Sequence, residues 1–261
     1  MRANVPSYDL VAPRDLAHAL SLLPDYRPLA GGTDVMVLFE AGKLDHRCWQ
    51  SILHLRELRG VTEAPDFVTL GALTTYSDIR RSSLLGAEFP LLAEAAAQVG
   101  GMATQNRGTV GGNIVNASPA ADTPPALLAY DAEVELTSLR GSRWVRYASF
   151  HTGYKRMDLA PDELLTAVRL PRGGRVTKSS YRKVGTRRAQ AISKVCFAAT
   201  CTGDRIRIGL ASVAPVPLLV EATRADARER LEAALAPIDD IRSTAAYRRQ
   251  VALNLLEEFL A

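Results

Sequence analysis

The stretch from Thr109 to Pro125 reads TVGGNIVNASPAADTPP. Adjacent glycines, Gly111 and Gly112, are followed by the amides of Asn113 and Asn116, the hydroxyl of Ser118, the lone carboxylate of Asp122 and the proline pair Pro124 and Pro125. A packed helix or strand has little use for that mixture, so the stretch is expected to be a loop laid against a ligand. Glycine permits positive φ and lets backbone N–H groups come close to an anion. A surface loop of turn residues would account for any one of these positions. A second stretch of the same chemistry lies upstream, where Leu29 to Val35 reads LAGGTDV. The two are expected to face each other across one ligand.

Composition sets the frame around them. The chain has 261 residues, 47% of them hydrophobic and 23% charged, which suits a soluble globular protein of two domains or three small ones. The opening MRANVPSYDL lacks an apolar core followed by a small-residue cleavage site, and no segment reaches the roughly eighteen apolar residues of a membrane span. A cytoplasmic protein is therefore expected. Cys48, Cys196 and Cys201 are odd in number and scattered, which argues against a disulfide framework and leaves too few soft ligands for a metal site or a cluster. Any iron–sulfur centre would belong to a partner. The formal net charge is +4, and from Arg172 to Lys194 there are eight basic residues and no acidic one. Such a run fits nucleic acid, an anionic ligand, an acidic partner surface or a solvated face.

Taken in order, Leu16, Leu20 and Leu23 fall at helical spacing, with Pro13 suited to a first turn. Arg27 to Ala30 reads as a strand running into Gly31 and Gly32, and Ser51 to Leu55 as another, with a boundary at Leu58 to Gly60. Phe67 to Leu70 is strand-like, Thr74 or Ser77 is placed to cap a short helix through Arg81, and Pro90 to Gln98 is a helix ended by Gly100 and Gly101. Ala126 to Tyr130 reads as a helical turn, and Ala132 to Thr137, Trp144 to Tyr147 and Leu164 to Leu170 as strands. The PRGG sequence from Pro171 to Gly174 is the best linker. Beyond it three strands, Ser179 to Val184, Lys194 to Thr202 and Arg205 to Val213, precede two helices. The first is Glu221 to Leu235; the second is capped by Ser243 and lines up Tyr247, Val251, Leu255 and Phe259.

The missing motifs narrow the chemistry. G-x-G-x-x-G does not occur, and Gly42-Lys43 is followed by leucine rather than serine or threonine, so a Rossmann dehydrogenase and a phosphate-loop NTPase are disfavoured. No H-E-x-x-H, no G-x-S-x-G and no cluster among His18, His46, His54 and His151 suggests hydrolase apparatus. Tyr181 is the single aromatic within the basic run, which is too few for a single-strand nucleic-acid platform.

The combination of Ala30-Gly31-Gly32-Thr33-Asp34 with Thr109-Val110-Gly111-Gly112-Asn113 and Ser118-Pro119-Ala120-Ala121-Asp122 resembles the flavin-binding medium subunit of the molybdenum hydroxylases, the family of xanthine dehydrogenase and aerobic carbon monoxide dehydrogenase. The likeness continues through Pro161 to Leu165 and Tyr181 to Gly185 and covers essentially the whole chain. It implies an α+β fold: a two-subdomain FAD-binding unit of the vanillyl-alcohol oxidase and MurB type, then a C-terminal α+β domain with a three-stranded sheet and helices. The sections would be 1–58, 59–171 and 172–261. It also implies that Leu29, Ala30, Gly31, Gly32, Thr33, Asp34 and Val35 form one wall of the FAD site and Thr109, Val110, Gly111, Gly112 and Asn113 the other. By the same likeness Asp122, Lys183 and Leu165 meet the cofactor.

That family implies a role. Molybdopterin on a large subunit and two 2Fe-2S clusters on a small subunit would deliver electrons to the flavin, which passes them to NAD⁺, dioxygen or another acceptor, in a dimer of heterotrimers. A purine or other N-heterocycle is the favoured substrate of the complex. No side-chain acid or base is nominated, since flavin carries the redox chemistry itself. Two rivals stand beside this reading: a free-standing flavin oxidoreductase of the same fold, active without partners, and a colourless basic module that binds nucleic acid with strong salt dependence.

Overall fold

The computed structural model describes residues 6–173, 176–187 and 189–261. Gly174 of the expected linker, and Arg175 and Arg188 of the basic run, lie outside the described residues, as do Met1 to Val5 of the N-terminus.

The first section is a small parallel sheet. Strands β1 (Asp9–Val11), β2 (Arg27–Leu29) and β3 (Cys48–Ser51) lie in the order β1-β3-β2, and the helices α1 (Leu16–Ser21) and α2 (Thr33–Glu40) are the crossovers that parallel pairing requires. Helix α1 starts one turn later than Pro13 suggests, because Asp15 accepts the N–H of His18 at 2.7 Å and caps it. The strand expected at Ser51 to Leu55 sits earlier, at β3; Ile52 and Leu55 are buried in the turn that follows, filling the core without a ladder.

The second section is an antiparallel sheet in the order β4-β5-β10-β6-β7, from β4 (Val61–Glu63), β5 (Phe67–Gly71), β6 (Glu133–Ser138), β7 (Gly141–Arg146) and β10 (Leu164–Pro171). Between β5 and β6 run six short helices: α3 (Tyr76–Arg81), α4 (Ser83–Glu88), α5 (Pro90–Gln98), α6 (Met102–Arg107), α7 (Val110–Asn116) and α8 (Pro124–Ala129). Neither Thr74 nor Ser77 caps α3. Thr75 does, in a capping box with Asp78, while the Thr74 hydroxyl is spent on Gly60 O at 3.0 Å. After β7 come α9 (Tyr147–Phe150) and a hairpin of β8 (His151–Gly153) and β9 (Arg156–Met157).

The stretch 109–125 is a loop only from residue 117 to 123, not throughout as expected. It begins with helix α7, capped by Thr109, whose hydroxyl accepts the Gly112 N–H at 3.1 Å. Gly111 is there for packing. A β-carbon on it would lie 2.7 Å from the Ala72 β-carbon, so only glycine lets the first turn of α7 press onto the chain after β5.

The third section is an antiparallel sheet of four strands, not three: β11 (Lys178–Val184), β12 (Val195–Thr202), β13 (Arg205–Ala211) and β14 (Leu218–Thr223). The sequence from Glu221 reads as helix, yet Leu218 to Thr223 pairs along the edge of β13 with Val220 and Ala222 turned inward. Helix α10 (Ala227–Ala234) follows, then α11 (Ala245–Leu260), capped by Thr244 rather than Ser243. The inward stripe of α11 is Arg248, Ala252, Leu256 and Phe259, so Tyr247 stays exposed.

The principal core crosses the section boundaries. It joins Val68, Leu70, Ile114, Leu127, Val134 and Val168 to Tyr181, Cys196, Ala198 and Ala211 of the third sheet, because α8 lies flat on β12 and β13. No described helix is long and apolar enough to cross a membrane.

Candidate functional site

The two glycine stretches meet. A β-carbon on Gly31 would lie 1.8 Å from the carbonyl oxygen of Arg107, and Arg107 Nε donates to Gly31 O at 3.3 Å. The residues just before α7 therefore lie directly against those that open α2, and only glycine at 31 permits it. Gly32 is the N-cap of α2 at φ +76° and offers no side-chain cap. Among the described residues, the backbone N–H groups of Gly31, Gly32, Thr33 and Asp34 have no acceptor. They form a cluster of free donors at the positive end of a helix.

The facing wall is different. Val110 N–H donates to Thr74 O at 3.0 Å, Gly111 N–H to Ala72 O at 2.9 Å and Gly112 N–H to the Thr109 hydroxyl. The N–H groups from Val110 to Asn113 are engaged, so Gly111 and Gly112 supply a smooth, close surface rather than free N–H groups. A β-carbon on Gly112 would lie 2.9 Å from Thr109 Oγ1 and disturb the cap. The Asn113 side chain accepts from Thr123 Oγ1 at 2.8 Å. Leu29, Ala30 and Val35 flank the first wall, each half-buried.

Asp122 and Lys183 come together. Lys183 Nζ lies 2.7 Å from Asp122 Oδ2 and also donates to Gln98 O at 2.8 Å, while Ser193 Oγ donates to Asp122 Oδ1 at 2.6 Å. The two side chains are 8% and 11% exposed. Burial pushes the Asp122 carboxyl upward, and Lys183 and Ser193 pull against it. Tyr181 OH donates to the Asp122 carbonyl at 3.0 Å. The residues thus tie the third sheet to the start of α8. Leu165 is buried in β10, beneath α7 in the principal core.

Several participants carry no sequence signal of their own. Arg107 bridges the two stretches. Asn116 Nδ2 donates to Asp34 Oδ1 at 2.9 Å, and Lys155, from the β8–β9 turn, donates to Asn116 O and, at 3.1 Å, to Asn116 Oδ1. Lys155 stands at φ +57°, a left-handed conformation that no pattern marks in advance.

Among the described residues of the basic run, most of the charged side chains have partners within the chain. Arg172 pairs with Glu63 and Glu88, Arg182 with Glu258 and Lys183 with Asp122, while Lys178 and Lys194 lie over the rings of Phe259 and Tyr247. Arg187 bonds only the backbone carbonyls of Ala189 and Gln190, so carboxylates neutralise three of the six described basic residues of the run.

Known proteins match the chain closely. A family model described as "FAD binding domain in molybdopterin dehydrogenase" matches residues 6–173. The xanthine dehydrogenase FAD-binding subunit of Escherichia coli O157:H7 is 35% identical over 213 residues, covering 78% of this chain and 73% of that protein. The carbon monoxide dehydrogenase medium chain of Hydrogenophaga pseudoflava is 29% identical over 276 residues, with 98% and 96% covered. A chain of the solved carbon monoxide dehydrogenase from the same organism superposes with a TM-score of 0.90 at 27% identity, over 98% of this chain and 97% of that one. The free N–H groups at α2 and the glycine-smoothed face of α7 fit an anionic dinucleotide, which needs donors on one side and close backbone on the other. The chain belongs to the family of FAD-binding domains of the molybdopterin dehydrogenases, as a flavin oxidoreductase subunit with an α+β fold.

Proposed function

We propose that this chain is the electron-transferring FAD subunit of a multi-subunit molybdenum hydroxylase, and that the wall from Leu29 to Val35 holds the pyrophosphate of FAD. The observation that carries this is the cluster of free N–H groups from Gly31 to Asp34 at the start of α2. FAD bound there supplies the redox chemistry, accepting electrons from iron–sulfur clusters of a small subunit and passing them to NAD⁺, dioxygen or another acceptor. Gly31 to Asp34 bind phosphate oxygens, and the Thr33 hydroxyl adds a donor. The face from Thr109 to Asn113 orients the cofactor by close contact and excludes water from it.

Asp122 and Lys183 meet the cofactor as one mutually neutralised pair, and Leu165 supplies an apolar support behind α7. The sections 1–58 and 59–171 clasp FAD, and section 172–261 covers it. Molybdopterin belongs to a large partner subunit, two 2Fe-2S clusters to a small one, and the whole to a cytoplasmic dimer of heterotrimers. A purine or other N-heterocycle is the substrate class, supported by the relative named for xanthine.

Reconstitution tests the reading. Flavin-free protein titrated with FAD should turn yellow with one flavin per chain, and Gly32→Leu should stay colourless while melting cooperatively. A wild-type preparation that remains colourless in excess FAD overturns it. Co-purification from the native host, followed by counts of molybdenum, iron and flavin, tests the assembly.

A further inference from the structure

The hairpin β8–β9 takes no part in either glycine wall, yet it grips α7 at two points. His151 Nε2 lies 3.0 Å from Ile114 O, and Lys155 Nζ donates to Asn116 O, so both contacts fall on the carbonyl end of the helix. A cation there complements the negative end of α7. Asn116 carries the connection onward. Its side-chain oxygen takes a second bond from Lys155 at 3.1 Å, and its side-chain nitrogen donates to Asp34 Oδ1 at 2.9 Å. Two elements distant in sequence, α7 directly and the hairpin through Asn116, thus bear on one carboxylate in the first turn of α2.

That carboxylate poses a physical problem. Asp34 sits beside the free N–H groups of Gly31 to Asp34, where an unrestrained carboxylate would compete for the same donors and repel any anion that approaches them. Holding it toward α7, against an amide and beside an ammonium group, removes both effects.

We propose that Lys155 is a positioning residue which, through Asn116, draws the Asp34 carboxylate out of the anion site and sets α2 against α7. The proposal rests on the FAD reading above. Lys155 does not touch the cofactor; it acts on the residue that would otherwise oppose it.

The test uses the full chain, stripped of flavin and titrated with FAD by fluorescence. Lys155→Ala and Asn116→Ala should each weaken FAD binding about tenfold, the worth of one charge-assisted hydrogen bond. The double variant should be no weaker than the worse single, because the two act in series. Lys155→Arg should recover most of the affinity. Asp34→Asn should restore binding in the Lys155→Ala background, since the uncharged amide no longer repels the anion. Melting temperatures of the flavin-free variants should stay within about 2 °C of the wild type. Additive losses, or no rescue by Asp34→Asn, show direct contact or general damage and overturn the clamp. Wild-type binding matched by Lys155→Ala overturns the clamp alone, whereas no binding by the wild type overturns the FAD reading with it.

Discussion

Gly31 shows how one hydrogen atom in place of a methyl group decides a site. Its α-carbon packs on the backbone of Arg107, so Gly31→Ala must move one stretch away from the other. A forced backbone shift of that kind costs about 3 kcal/mol, and urea denaturation should show a lower midpoint together with weaker FAD binding. At Asp122 and Lys183 the energy lies in the pairing. Lys183→Ala leaves a carboxylate buried beside Ser193 alone, which should cost about 3 kcal/mol, while the neutral pair Asp122→Asn with Lys183→Met should recover much of it. A further carboxylate matters to acid stability. Burial works to raise Asp240, but the N–H groups of Arg242 and Ser243 and the guanidinium groups of Arg242 and Arg248 outweigh it and hold the carboxyl at about 2. A depressed carboxyl stabilises the fold above its unfolded value of 3.8, and that contribution is lost as the pH falls toward about 2. Screened by solvent, that contribution comes to about 1 kcal/mol, so Asp240→Asn should cost about that much at neutral pH and flatten the acid limb of the stability curve below pH 3.8.

At the scale of elements, α2 and α7 open in opposite ways. Gly32 caps α2 without a side chain and leaves its donors free, whereas the Thr109 hydroxyl caps α7 and consumes one. Thr109→Ala should cost about 1 kcal/mol and fray α7, which circular dichroism and thermal melts will show. Reading Val110 to Asn116 as loop failed because glycine is a poor helix former, yet here the close approach to Ala72 and the cap outweigh that preference. Strand β14 was hidden for a related reason. Glu221 to Leu235 has helical periodicity, but the open edge of β13 offered backbone partners that no local pattern displays. Pro90 to Gln98 and Leu164 to Pro171 were legible, since a proline at the first turn and a run of buried apolar residues are local signals.

For the molecule as a whole, the boundary after Pro171 is a change of sheet without a break in the core. Tyr181, Cys196, Ala198 and Ala211 complete the apolar cluster of the second section, and Arg207 reaches across to Leu128 O and Asp131. A fragment ending at Pro171 should expose the face of α8, melt without cooperativity and bind a hydrophobic dye, whereas the full chain melts in one transition. A cooperative melt of the fragment would show instead that the third section is only a cover.

What the sequence alone determined is the chemistry brought to the site: two glycine stretches, their order, and an α+β pattern matching one family. These are local, because a glycine's permissiveness, a proline's place and an apolar run belong to the residues themselves. Tertiary structure alone decided that one wall keeps its N–H groups free while the other uses them, that Asp122 meets Lys183, and that Lys155 reaches Asp34 through Asn116. Each of those depends on which distant backbone or side chain arrives within hydrogen-bond reach, and only the packed fold places them there.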